Sequence, residues 1–325
     1  MKCTNKLFVF WGLCLSFFFT GCNKTTIHVP YKLDSDISAF SITNHNTEVK
    51  IDSFASALCV GNANVSANTS VNMEEATAAG LFDINDSHII YGKNIHERLA
   101  PASLTKILTA LVALEKGNLE DVITVTNEAK ITESGAVVCG LKEGDTLTLN
   151  QAMHALLIQS ANDAANAIAI HLGGSIEGFA GMMNEKAREL GATNSHFVNP
   201  HGLTADDHYT TAYDLYLIFN KVVEYELFRE IIHMDNYSTV YQDSAGKDKE
   251  MSFKTTNLFL RGNYSSPNKV TVIGGKTGTT NAAGNCLIIL SKDTAGNPYI
   301  SVILRSKERQ LMYEQMIDLL EEIYN

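Results

Sequence analysis

The chain has 325 residues, 45% of them hydrophobic, and a formal net charge of −11. That length suits one large globular domain, or a domain with a subdomain. The acidic balance argues against a nucleic-acid binder, and no block of like charge is long enough to suggest a charged tail.

Lys2 and Lys6 form a positive start, followed by an apolar stretch from Leu7 to Phe19 that is short for a membrane span. It ends in Phe19-Thr20-Gly21-Cys22, which resembles a bacterial lipoprotein signal. Residues 1–21 are therefore expected to be a signal peptide, with Cys22 the lipidated first residue after cleavage. The alternative is an ordinary secretory signal with an incidental cysteine. Residues 22–71 are rich in Ser, Thr and Asn and read as a polar, partly disordered tether. Their apolar run, Phe54 to Val60, is expected to dock on the domain. Past Cys22 three cysteines remain, Cys59, Cys139 and Cys286. An odd count permits at most one disulfide and does not choose the pair, and buried free thiols fit equally well.

A catalytic domain is expected over residues 72–325. Ala76 to Tyr91 reads as strand, turn and strand, with Asn85-Asp86-Ser87 at the turn. A buried helix begins near Ser103, carries Ile107, Leu108, Leu111 and Val112, and stops at Gly117-Asn118. Asp121–Thr126 and Asp145–Leu149 are short strand-like pieces. A helical subdomain spans about 127–235: an apolar stripe at Met153, Leu156 and Leu157, a helix from Ala164 to Leu172, and a Ser175-capped helix ended by Gly191. Thr211-Ala212-Tyr213-Asp214 reads as a capping box opening another helix. Tyr237–Gln242, Val270–Gly274, Cys286–Leu290 and Tyr299–Leu304 read as strands, and Met312, Met316, Leu319, Leu320 and Ile323 mark a closing helix. Strands at both ends around a helical middle give a mixed α/β (α+β) class: one antiparallel sheet built from both ends of the domain, flanked by helices, with the helical subdomain inserted.

Three short motifs carry chemistry. Ser103 at a helix N-terminus meets free N–H groups and the positive end of the helix dipole, and Lys106, three residues on, lies on the same face. Taken alone the pair could be a cap and a surface lysine. Ser160-Ala161-Asn162 and Lys276-Thr277-Gly278 follow in order. Alone, these could be a helix cap and a strand-edge lysine. Together the three are the motif set of penicillin-binding proteins and class A β-lactamases. A serine hydroxyl needs a base, and Lys106 can act as one only when neutral, which burial and a second cation such as Lys276 would favour. His201, Asp206, Asp207 and His208 lack a recognisable zinc spacing, so no metal is expected. His201 is instead expected to hold the loop beneath the site.

From about Ala76 to the C-terminus the chain resembles the low-molecular-mass penicillin-binding proteins, the serine-type D-alanyl-D-alanine carboxypeptidases. The resemblance rests on Ala100-Pro101-Ala102-Ser103-Leu104-Thr105-Lys106, Phe197-Val198-Asn199-Pro200-His201-Gly202-Leu203 and Lys276-Thr277-Gly278-Thr279-Thr280-Asn281-Ala282-Ala283-Gly284. It implies a β-lactamase/transpeptidase-like fold with the site at the junction of sheet and helical subdomain. It implies Ser103 as nucleophile, Lys106 as base and Ser160 as proton relay to the departing amine. Asn162 would bind the substrate amide, and Lys276 and Thr277 its terminal carboxylate. Gly278 would allow close approach, and the N–H groups of Ser103 and Thr279 would form the oxyanion hole. The expected reaction removes the terminal D-Ala from peptidoglycan stem pentapeptides without a cofactor, with β-lactams as inhibitors. A lipid on Cys22 would hold the enzyme at the outer face of the cell membrane. Alternatives are a D,D-endopeptidase, a class A-like β-lactamase and a non-turnover β-lactam receptor. The segment Ser195–Gly202 has no acid to activate a deacylating water, unlike class A β-lactamases.

Overall fold

The computed structural model describes residues 40–44, 47–51, 56–66 and 71–324. The signal segment and Cys22 lie outside these residues. The chain divides into two compact units, Met1–Ser53 and Phe54–Asn325. In the first, strands β1 (Phe40–Asn44) and β2 (Thr47–Ile51) pair antiparallel, with Phe40 opposite Ile51. The polar composition of this stretch did not predict a hairpin.

The second unit begins with β3 (Val65–Ser66), β4 (Ala76–Asp83), β5 (His88–Lys93), helix α1 (Thr105–Lys116), β6 (Val122–Thr124) and β7 (Thr146–Thr148). Its helical middle holds α2 (Leu149–His154), α3 (Asn162–Gly173), α4 (Ile176–Glu189), α5 (Ala212–Val222) and α6 (Glu226–His233). Then come β8 (Asn236–Gln242), β9 (Asp248–Lys254), β10 (Thr271–Thr280), β11 (Gly284–Lys292), β12 (Pro298–Ser306) and α7 (Arg309–Glu321). The main sheet has six antiparallel strands in the order β10-β11-β12-β4-β5-β3. Chain segments from both ends of the domain therefore share one sheet, as the sequence pattern implied, and β10 forms its edge.

Both faces of this sheet are covered. Side chains alternate along a strand, so Leu287, Ile289 and Ile303 pack with Met312, Met316, Leu319 and Leu320 of α7. Ile288, Leu290 and Val302 face the other way, into the core shared with the helical middle. Covering both faces explains why β11 reads as the unbroken run Cys286-Leu287-Ile288-Ile289-Leu290 rather than as alternating apolar and polar residues. Helix α1 is buried continuously from Thr105 to Ala113, so it is a central helix with no solvent face along most of its length.

Beyond the β1–β2 hairpin and β3, helix α6 and strand β9 were not read from the sequence. Helix α6 is eight residues long and has neither a side-chain N-cap bond nor a glycine stop, although Phe228, Ile231 and Ile232 are buried at helical spacing. Strand β9 buries only Met251 and Phe253 between exposed charged and polar residues. It ends a second antiparallel sheet, ordered β6-β7-β8-β9. Thr211 caps α5 by accepting from Asp214 N, but the reciprocal half of the expected capping box is missing. Asp214 instead accepts from Asn194 N and Ser195 Oγ, tying α5 to the preceding loop. Cys59, Cys139 and Cys286 are all free thiols.

The described part of the Phe54–Val60 run docks as expected. Cys59 is fully buried, its N–H donates to Tyr216 Oη at 2.9 Å, and Tyr213 Oη donates to its carbonyl at 2.8 Å. Tyr216 also stacks on Phe82, with ring centroids 4.2 Å apart. Tyr216→Phe keeps the stack but strands a buried N–H, which costs about 1–3 kcal/mol. The denaturation midpoint should fall accordingly, and an unchanged midpoint would show that the segment contributes nothing to the fold.

Candidate active site

The local fold around Ser103 is set by a strained approach. Pro101 is followed by a single 3-10 turn, Ala102–Leu104, that feeds α1. Ser103 thus sits one turn before the α-helix proper. Ala102 takes φ +47°, a left-handed conformation that L-residues rarely hold unless their surroundings demand it. Those surroundings are visible. Val198 N donates to His208 Nδ1 at 3.1 Å, which leaves the ring proton on Nε2. That nitrogen donates to Thr105 Oγ1 at 2.8 Å, and Thr105 Oγ1 donates to the Ala102 carbonyl at 2.8 Å. Gly202, at φ +86°, lies against the same carbonyl. A Cβ there would fall 1.8 Å from Ala102 O, so the approach requires glycine.

Lys106 is fully buried, and its Nζ lies within hydrogen-bond distance of three groups. Nζ lies 3.1 Å from Ser103 Oγ, 2.6 Å from Asn162 Oδ1 and 2.6 Å from the His201 carbonyl. None of these acceptors carries a charge. Burial pushes Lys106 well below the ordinary lysine range and Lys276 pushes in the same direction, with Asp163 opposing. Lys276, on the edge strand β10, is 1% exposed and is lowered by burial to about 7. It donates to Ser160 Oγ at 2.8 Å and to the Thr277 carbonyl at 2.9 Å. Ser160 ends a π-helical turn, Ala155–Gln159, in the left-handed region at φ +65°. π-turns and left-handed non-glycine residues concentrate at functional sites.

The remaining predicted residues converge on the same place. Ser103, Asn162 and Thr279 line a cleft of about 580 Å³ together with Val137, Leu203 and Asn281. Gly278 lies close against Ser103, since a Cβ there would fall 2.9 Å from Ser103 N. Thr277 Oγ1 donates to Thr256 Oγ1 at 2.6 Å, a partner that no sequence signal marked. The His201 carbonyl and the Thr105–His208 link were also missed. Backbone acceptors leave no residue-type signature, although Asn199-Pro200-His201-Gly202 contains both His201 and Gly202. Asn199 folds this loop on itself: Oδ1 accepts from His201 N and Gly202 N, and Nδ2 donates to the Leu203 carbonyl. Asp207 pairs with His196 at 3.0 Å. Among the described residues, no carboxylate hydrogen-bonds to Ser103, Lys106, Ser160 or Lys276.

This arrangement holds a serine hydroxyl against a buried lysine that burial and a second cation drive toward neutrality. The sequence profile of the D-alanyl-D-alanine carboxypeptidase family matches residues 63–308. The chain belongs to this family. Its relatives include the D-alanyl-D-alanine carboxypeptidase DacF of Bacillus subtilis, 34% identical over 77% of this chain and 63% of that protein. DacC of Escherichia coli is 33% identical over 76% of this chain and 60% of its own length. The chain thus spans about three fifths of the length of these relatives. Among solved structures, the Streptomyces K15 DD-transpeptidase superposes with a TM-score of 0.72 at 26% identity, covering 78% of this chain and 98% of that one. The antiparallel sheet and its flanking helices thus belong to the penicillin-binding-protein fold.

His201 and His208 give the site a pH signature. Burial first, then the Lys106 charge, lowers His201 to about 3. Burial and the neighbouring His196 and Lys106 lower His208 to about 4. The unfolded chain takes up protons at both rings near pH 6.5, whereas the folded chain stays neutral there. Their contribution to stability is therefore full above pH 6.5 and is lost as pH falls toward 4, at up to about 1.4 kcal/mol per pH unit for each ring. Denaturant titrations between pH 6.5 and 5, above most carboxylate titration, should show this slope. His208→Gln should reduce it, and a slope equal to wild type would count against a buried neutral ring.

Proposed function

We propose that the protein is a serine-type D-Ala-D-Ala carboxypeptidase that removes the terminal D-Ala from peptidoglycan stem pentapeptides through an acyl-enzyme on Ser103. The observation that carries this reading is the 3.1 Å contact between Ser103 Oγ and the buried Nζ of Lys106, whose other partners are all uncharged. Neutral Lys106 accepts the Ser103 proton as Oγ attacks the carbonyl carbon of the penultimate D-Ala. The oxyanion is received by the N–H groups of Ser103 and Thr279, a type of contact worth about 3–4 kcal/mol per donor. Ser160, hydrogen-bonded to Lys276, passes a proton to the departing amine. Asn162 orients the substrate amide, and Lys276 and Thr277 hold the terminal carboxylate. Because β10 is a sheet edge, an extended substrate can lie along it, and Gly278 keeps that approach open. Water then hydrolyses the ester and frees Ser103.

A β-lactam mimics the D-Ala-D-Ala terminus, so benzylpenicillin should acylate Ser103. The ester should decay slowly, because Asn199 is spent on its own loop and supplies no carboxylate to activate water. Rapid turnover would instead support a β-lactamase. We further propose that Cys22 carries a lipid that keeps the enzyme at the outer face of the cell membrane, near its substrate. Two or more acyl chains give stable anchoring where one is marginal.

Ser103→Ala should abolish penicillin labelling, and Lys106→Ala should slow acylation by about 10²–10⁴-fold, the usual worth of a general base, without loss of fold. Labelling that persists in Ser103→Ala would sink the assignment. Mass spectrometry of muropeptides incubated with the protein should show pentapeptides losing one alanine, whereas splitting of cross-linked dimers would identify an endopeptidase.

Cell fractionation tests the anchor. Wild type should partition with membranes, and Cys22→Ala should release an unlipidated form. Mature wild-type protein free in the medium, without lipid mass on Cys22, would refute the attachment.

A further inference from the structure

One wall of the cleft is irregular chain. Glu133, Ser134, Gly135, Ala136 and Val137 line it, and Val137 and Val138 are 45% and 40% exposed. Burial therefore does little to fix this wall. What fixes it is the residue next to Asn162. Asp163 is 3% exposed and hydrogen-bonds to neither lysine, although its charge acts on Lys106. Its Oδ2 accepts from Gly140 N at 2.8 Å and from Leu141 N at 3.0 Å. Its Oδ1 accepts from Cys139 N at 3.0 Å, from the Cys139 thiol at 3.4 Å and from its own neighbour Ala164 N at 3.0 Å. In return, Asn162 N donates to the Val137 carbonyl at 2.9 Å.

Every group facing Asp163 in these contacts is a donor. A carboxylate is acceptor-only and satisfies them all, whereas an amide would set its own NH₂ against an N–H. The asymmetry explains an acid at this position, and charge-assisted acceptance makes these bonds the strong kind. The same carboxylate anchors the start of α3, which carries Asn162 and hence the contact to Lys106. Wall and floor of the cleft are thus referred to one side chain.

We propose that Asp163 is a positioning residue for substrate binding: its carboxylate clamps residues 139–141, and through them the 133–138 wall, to the α3 start that bears Asn162. The clamp rests on reading this cleft as the D-Ala-D-Ala peptidase site, and its test is built to stand apart from that reading. Penicillin labelling of Ser103 decides the site. Hydrogen exchange on the wild-type full chain decides the clamp, with no substrate and no variant. The amides of Cys139, Gly140 and Leu141 should exchange at least 100-fold more slowly than those of Ser134 and Gly135, although Gly140 is exposed. Equal rates would overturn the proposal.

Asp163→Asn then tests the consequence. Burial, followed by the Asp163 charge and hydrogen bond, holds the Cys139 thiol protonated well above the ordinary thiol range. Thiol-reagent labelling at Cys139, read by mass spectrometry at pH 8, should accelerate at least tenfold in the variant. For an N-acylated D-Ala-D-Ala peptide, KM should rise tenfold or more, because the wall binds substrate. Unchanged labelling, or an unchanged KM, would overturn the positioning role. If Asp163→Asn does not fold, the wild-type exchange pattern still decides the clamp.

Discussion

The constraint on which this structure turns is the burial of two lysines without a carboxylate partner. Lys106 and Lys276 are each essentially inaccessible, and both are satisfied by hydroxyls, amides and carbonyls alone. Burying an unpaired ammonium is unfavourable, which lowers both lysines and drives Lys106 furthest toward its neutral form. A salt bridge to Lys106 would hold it charged and unable to take a proton. The site therefore depends on neutral acceptors held within hydrogen-bond reach of each Nζ. Much of the local architecture places those acceptors: the Asn199 loop aims the His201 carbonyl, the start of α3 brings Asn162, and the π-turn before Ser160 presents its hydroxyl.

Strain at the site follows from the same demand. Ala102 and Ser160 are both non-glycine residues at positive φ, a conformation costing of order 1–3 kcal/mol where the surroundings enforce it. One precedes Ser103 and the other is the hydrogen-bond partner of Lys276. The enforcing contacts come from buried, neutral His208 through Thr105 on one side, and from the Ala155 carbonyl, which accepts from Ala161 N, on the other. Neutrality of His208 matters here. A protonated ring could not accept from Val198 N, and the link to Ala102 would lose its far end.

The sequence disclosed the residues that meet in the cleft better than the framework that holds them. Ser103-Leu104-Thr105-Lys106, Ser160-Ala161-Asn162 and Lys276-Thr277-Gly278 are ordinary singly but distinctive together in that order, and all three meet at one cleft. Strands of the main sheet were legible because both faces are covered, which left long apolar runs. Helix α6 was not, because it lacks caps and a glycine stop. β9 was not, because Met251 and Phe253 are its only buried side chains. Thr256, the His201 carbonyl and the Asp163 clamp were invisible for a different reason: each is defined by a partner far away in sequence, and a threonine, a backbone oxygen and a helix-start aspartate have ordinary local explanations.

In the proposed reaction, the pairing of the two lysines would let one cleft both take and give a proton. Lys276 lies close enough for its charge to act on Lys106, so the two do not hold protons independently. In the proposed reaction, the proton leaving Ser103 arrives on Lys106 and makes it cationic. That new charge disfavours the proton on Lys276, which is hydrogen-bonded to Ser160 Oγ at 2.8 Å. Uptake at the nucleophile thus drives release toward the relay that serves the departing amine. Replacing either lysine by a neutral side chain would break this coupling even if the serine remained in place. An Arg at position 276 would break it too, because a guanidinium keeps its proton at every relevant pH.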